Sequence, residues 1–160
     1  MSATPGESTP EDRLAALGFQ LPDKASPLAL YQPAVRVGDL VFTAGTIAIR
    51  NGEVMAAGHV GADVTVEEAQ DAARLAMANN LAALRDAAGG LSSVLRIVKV
   101  HGFVASAPGF IRQPDVLNAA SQLLIDVFGE AGRSARTAVG VAELPLNASL
   151  EVDLVAQLKV

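Results

Sequence analysis

The chain has 160 residues, 51% of them hydrophobic but only 4% aromatic, and a formal net charge of −5. That length suits one domain with a core built from Ala, Val, Leu and Ile. The absence of cysteine excludes disulfides, thiol catalysis, Cys-ligated zinc and iron–sulfur clusters, and an acidic chain without a stripe of Lys and Arg argues against nucleic-acid binding.

No run approaches the roughly 18 uninterrupted apolar residues of a membrane span. The opening residues, MSATPGESTPED, carry neither the basic region nor the apolar stretch of a secretory signal, so the expected location is the cytoplasm. The apolar content exceeds what a small monomer needs and points to an oligomer that buries a sheet face or edge.

Residues 1–8 are small, polar and Pro/Gly-bearing and read as disordered, leaving a single domain over 9–160. Thr9 before Pro10, Glu11 and Asp12 starts a short helix that Gly18 stops. In DLVFTAGTIAIRNGEVMAAG, Asn51-Gly52 marks a hairpin, with strands over 40–44 and 47–50 and a return through Val54 and Met55. Thr65 and Glu68 form a capping box opening a helix to about residue 88, where Gly89-Gly90 stops it. Ala69, Ala72, Ala73, Ala76 and Asn80 are small enough to let that helix lie close to a sheet. The segment 94–106 is a strand apolar on both faces, broken by Pro108-Gly109. A second long helix spans 114–128, with Val116, Leu117, Ala120, Leu123, Leu124 and Val127 at helical spacing. Two last strands cover 137–142 and 149–158.

This order predicts an α+β two-layer sandwich, a mixed sheet with two long helices on one face. In the last strand Leu150, Val152, Leu154 and Leu158 face the helices, while Ser149, Glu151, Asp153, Val155 and Gln157 face away. The second face reads as one that meets another subunit around wet pockets.

ARTAVGVAELPLNASLEVDLVA, with Ala135-Arg136-Thr137, Val139, Val141, Leu144-Pro145 and Glu151, resembles the C-terminal signature of the RidA (YjgF/YER057c/UK114) family. Tyr31 followed by VRVGDLVFTAG, and Asn118 near the start of the second helix, are similar to further family segments. The stretch KVHGFVASAPGFIRQPDVLNAASQLLIDVFGEAGRSAR looks like the longer branch, often labelled putative endoribonuclease. The resemblance covers residues 30–160. It implies a chorismate-mutase-like fold, a homotrimer with clefts between subunits, and hydrolysis of reactive enamines and imines to 2-oxo acids and ammonia without cofactor or metal.

That chemistry assigns roles. A guanidinium fork binds a substrate carboxylate and stays charged, which suits Arg136. Glu151 is the candidate to orient water and accept its proton, with partial burial raising its pKa. Tyr31 closes the pocket, Gly45 lets backbone approach the ligand, and Asn118 adds an amide contact. If Ala142 pairs with Ser149 in a terminal hairpin, Arg136 lies opposite Val155 and Glu151 opposite Gly140. That separates the two by roughly 13 Å along the strand. Two family positions depart from the pattern: the serine before the glycine is Ala44, and a position often polar is Ala138.

Plainer readings stand beside these. Arg136 pairs with Asp153 or Glu151 at an interface, Tyr31 is a packed aromatic, and Asn118 serves the helix start. His101 is a satisfied core or interface histidine, and His59 is solvated. Neither histidine has metal-site spacing. A non-catalytic trimer binding a small carboxylate or a protein client is the alternative function, favoured by Ala44 and Ala138. Endoribonuclease is the third.

Overall fold

The first two helices begin where their caps dictate, while the third starts after Arg112 without a side-chain cap. In the computed structural model, which describes residues 8–23 and 30–160, α1 spans Pro10–Ala16, α2 Val66–Ala88 and α3 Gln113–Phe128. The disorder expected for 1–8 falls, apart from Ser8, outside the described residues. At α1 the Asp12 N–H donates to Thr9 Oγ1 at 3.1 Å and Thr9 N–H donates back to the Asp12 carboxylate at 3.0 Å. Thr65 and Glu68 repeat this box at α2, at 3.2 and 2.8 Å. Gly89, with φ 76°, closes α2 in the left-handed conformation that glycine takes without strain.

The strands are β1 (Ala34–Val37), β2 (Leu40–Thr43), β3 (Thr46–Ile47), β4 (Ile49–Arg50), β5 (Glu53–Val54), β6 (Val94–Ala105), β7 (Ala135–Val141) and β8 (Leu150–Leu158). β4 and β5 pair around Asn51-Gly52, both at positive φ (52° and 82°), as a two-residue hairpin turn requires. The main sheet has the order β1-β2-β8-β6-β7, with β3 also pairing β8. Only β6 and β7 run parallel, joined by the crossover through α3. The result is the expected α+β two-layer sandwich with a mixed sheet. Its core lies between α2 and α3 and the sheet face bearing Leu150, Val152, Leu154, Ala156 and Leu158.

Two expectations are corrected. First, β7 and β8 are not a hairpin, because β6 lies between them, parallel to β7 and antiparallel to β8. A strand apolar on both faces belongs in a sheet interior, and β6 takes that place. The connection over 142–149 instead passes through a 3-10 turn at Pro145–Asn147, with Leu146 and Asn147 at positive φ. Second, β1 was not foreseen as a strand. It pairs β2 through Gly38-Asp39, with Val37 opposite Leu40.

At Gly102 β6 lies close against α3: a Cβ there would overlap the Leu117 side chain, which is wholly buried. Gly102→Ala is therefore expected to lose about 1–3 kcal/mol by overpacking, read as a lower urea midpoint at unchanged slope.

Candidate functional site

Alternation along β8 sends Glu151, Asp153, Val155 and Gln157 to the face the helices do not cover. Ser149, expected on that face too, is buried with its Oγ unpartnered, and among the described residues the polar side chains of β8 other than Glu151 all have partners. Asp153 Oδ1 meets His101 Nδ1 at 2.6 Å from β6, Gln157 donates to Asp39 at 2.7 Å, and Lys99 Nζ donates to Thr137 Oγ1 at 2.8 Å. His101 is thus the satisfied histidine of the plainer reading, and Asp153 is the partner that reading lacked.

Glu151 sits opposite Phe103 on β6 and Ile47 on β3. Burial, and secondarily the charge of Asp153, push its carboxyl pKa above the usual range. Its seat is made by the break between β2 and β3. Thr43 Oγ1 accepts Leu154 N–H at 2.9 Å and donates to Leu154 O at 3.2 Å, which ends β2 against β8. Ala44 and Gly45 then bulge before β3 resumes. A Cβ on Gly45 would run into the Glu151 carboxyl group, so any larger residue would displace that carboxyl from its present place. Tyr31 is exposed and two residues before Pro33, whose carbonyl accepts the Ala44 N–H at 2.8 Å.

Arg136 lies elsewhere. It is opposite Val100, which is itself opposite the buried Leu154, so Arg136 points to the helix side of the edge strand β7. There Nη1 donates to Asn118 Oδ1 at 3.0 Å and to Ser121 Oγ at 3.1 Å, and Nη2 to Pro114 O at 3.5 Å. All three are neutral acceptors; among the described residues no carboxylate pairs with Arg136. The fold therefore brings Arg136 to Asn118, and Glu151 to Gly45, but holds the two pairs apart. Glu151 shares its row with Phe103 and Val139, three residues along from Arg136, or about 10 Å. The two side chains also leave opposite faces of the sheet. The hairpin expectation placed both on one face; inserting β6 changes the register and reverses one of them. Ser121 is a contact that sequence reading missed, although its place one turn after Asn118 was visible.

His59, expected to be solvated, is partly exposed and also joins two loops. Its Nε2 lies 2.7 Å from Ala142 O and 3.4 Å from Glu143, and its Nδ1 3.5 Å from Asp63. The Ala142 carbonyl foremost, with help from Glu143 and Asp63 and against a smaller burial effect, raises the His59 pKa. A histidine pKa raised in the folded state adds stability that is full below its unfolded pKa and lost as pH rises through the folded value. The thermal advantage of the native chain over His59→Ala is accordingly expected to be larger at pH 5.5 than at pH 8.5; an equal difference at both would remove the charged histidine from the account.

Among the described residues no three His, Asp or Glu side chains converge as a metal-binding group, and no helix is long and apolar enough to cross a membrane. A shallow cleft between the β4–β5 hairpin and α2, lined by Arg50, Met55, Glu68 and Asp71, contains none of the site residues.

Residues 11–158 match the family described as "YjgF/chorismate_mutase-like, putative endoribonuclease". The chain belongs to this YjgF family. Protein TCP17 of Trypanosoma cruzi is 40% identical over 146 residues, covering 91% of each chain. The 2-iminobutanoate/2-iminopropanoate deaminase of Dermatophagoides farinae is 33% identical over 129 residues, covering 79% of this chain and 84% of that one. Among solved structures, Atu1372 of Agrobacterium tumefaciens, of unknown function, superposes with a TM-score of 0.87 at 44% identity, over 94% of this chain and 92% of its own. E. coli TdcF with bound serine gives 0.61 at 27% identity, over 85% and 94%. YjgF relatives thus include a deaminase and a protein that holds an amino acid.

Proposed function

We propose that this YjgF protein is a cytoplasmic, cofactor-independent deaminase that hydrolyses small 2-imino or 2-enamino acids to 2-oxo acids and ammonia, in clefts between the subunits of a homotrimer. The observation that carries this reading is Arg136, a guanidinium at an edge strand held only by neutral acceptors and so keeping its charge for a ligand carboxylate. The similarity to an imino-acid deaminase supports the reaction class.

The chemistry is a hydrolysis. The protonated imine carbon is electrophilic, and water adds to it while Glu151 accepts a proton from the water. Glu151 returns that proton to the nitrogen of the tetrahedral carbinolamine. The C–N bond then breaks to release ammonia while Glu151 takes the hydroxyl proton, so that the oxygen becomes the new carbonyl, and that proton passes to the departing ammonia to give ammonium. A carboxyl with a raised pKa suits both halves of this transfer better than an ordinary one.

The opposite-face placement supports a cleft shared between subunits. A small 2-imino acid cannot span from Arg136 to Glu151 of the same chain. In the proposed assembly the β7 edge of one subunit meets the open sheet face of the next, so that Arg136 and Asn118 of one complete a cleft with Glu151, Gly45 and Tyr31 of another. The open face is suited to such contact, because Val35 and Phe42 lie exposed on it beside Val155. The test is ammonia and 2-oxo acid release from enzymatically generated 2-imino acids. A rate above the spontaneous background supports the deaminase.

A second reading is kept for one observation. Ala44, beside Gly45, offers no hydroxyl where the family pattern has serine, so the same clefts would bind 2-oxo acids without turnover. Binding without ammonia release would favour it. The endoribonuclease reading needs RNA cleavage that survives repurification and disappears in Arg136→Ala.

A further inference from the structure

Asn80 is wholly buried in the middle of α2, on the stripe otherwise made of Ala69, Ala72, Ala73, Ala76 and Ala83. An apolar residue there would avoid the cost of burying an amide, and that cost is not fully recovered, because Asn80 Oδ1 has no hydrogen-bond partner. Its Nδ2 makes three contacts, at 2.9 Å to Ala44 O, 2.9 Å to Thr46 Oγ1 and 3.4 Å to Val152 O. Ala44 and Thr46 flank Gly45, and Val152 follows Glu151. One side chain therefore ties the bulge that carries Gly45 to the strand that carries Glu151, at the point where β2 and β3 leave β8 without regular pairing. The adjacent Asn79 continues the line, donating to Ile49 O at 2.9 Å and Ile47 O at 3.4 Å.

We propose that Asn80 is a positioning residue of the functional site, its buried amide fixing residues 44–46 so that Gly45 closes over the Glu151 carboxylate. It touches no substrate; it acts through Gly45 and Glu151. The proposal rests on reading Glu151 as part of the site, and its test reads the Glu151 carboxyl directly rather than turnover alone.

The full chain, labelled with 13C at glutamate side chains, is titrated by NMR, with Glu151 assigned by its absence in Glu151→Gln. In the native chain Glu151 is expected to titrate above the usual glutamate range. In Asn80→Ala the 44–46 segment loosens, water reaches the carboxyl, and its titration moves down toward the usual range. Thr46→Val removes one of the three contacts while keeping the volume, and shifts Glu151 in the same direction by less. It also serves if Asn80→Ala does not fold. In the deaminase assay kcat is expected to fall about tenfold to a hundredfold in Asn80→Ala with a smaller change in KM, as for a displaced reacting group. A folded Asn80→Ala, or Thr46→Val, in which Glu151 titrates as in the native chain would overturn the proposal. A native chain without ammonia release would sink the deaminase reading alone, since the titration still decides the role of Asn80.

Discussion

Glu151→Gln is expected to lower kcat for 2-imino acid hydrolysis by about 10²–10⁴-fold while leaving binding of a 2-oxo acid nearly intact. Glutamine keeps the size of the side chain and its fit against Gly45 but cannot take a proton from water. The substitution should also stabilise the fold at neutral pH. The folded-state pKa of Glu151 is raised, so the folded protein binds its proton more readily than the unfolded chain does. The stability linked to that proton is present below the ordinary carboxyl range and is lost as pH rises through the folded value. At pH 7 the native chain has lost it and the glutamine variant has nothing to lose. Calorimetry at pH 7 should show a higher Tm for Glu151→Gln, with the gain shrinking toward pH 4. A lower Tm at pH 7 would mean that the charged carboxylate is held by a favourable partner.

Arg136→Ala is expected to cost about 10²–10³-fold in kcat/KM, the scale of one or two hydrogen bonds to a charged carboxylate. The loss should appear equally in the affinity for a 2-oxo acid product, because the carboxylate is present in substrate, transition state and product alike. Arg136→Lys retains the charge without the fork and should fall between the two. Since Arg136 also ties β7 to α3 through Asn118 and Ser121, the alanine variant is expected to be less stable by about 1 kcal/mol. Melting curves beside the kinetics separate that effect from lost binding. Unchanged affinity in a folded Arg136→Ala would leave Arg136 as a strap between β7 and α3 only.

The helices were legible because their signals are local. Thr9 as a cap, Thr65 with Glu68, and Gly89 act within one turn, and the structure uses each, adding a return bond from the Thr9 N–H to Asp12. The Asn51-Gly52 turn was legible for the same reason. Strand pairing is not local, and there the reading failed. β7 and β8 are neighbours in sequence, and neighbours pair often enough to make a hairpin the natural expectation. The opposing signal was the two-faced apolarity of β6, which marked it as an interior strand. β1 was missed although Val35-Arg36-Val37 alternates as a strand does and Gly38-Asp39 is a competent two-residue turn.

The candidate site divides along the same line. Glu151 was placed on the open face by alternation alone, and the partial burial expected for it is present. Arg136 and Asn118 were singled out separately; their meeting depends on the α3 crossover that returns the chain to the sheet edge. Asn80 went unread as a polar group because it fitted a row of small residues. Its three acceptors come from residues 44, 46 and 152, distant from it in sequence.

The claim at the centre of this account is that Arg136 and Glu151 serve one ligand from two subunits. It is tested by mixing subunits. Arg136→Ala and Glu151→Gln chains are each assayed alone, then co-refolded and assayed again. Random mixing of a trimer leaves roughly a quarter of the clefts with both native residues, so ammonia release should rise well above either parent. A double variant carrying both changes in one chain, mixed with itself, should stay silent. Activity in the mixture no greater than the sum of its parents, from chains shown by light scattering to have exchanged, would contradict the shared cleft.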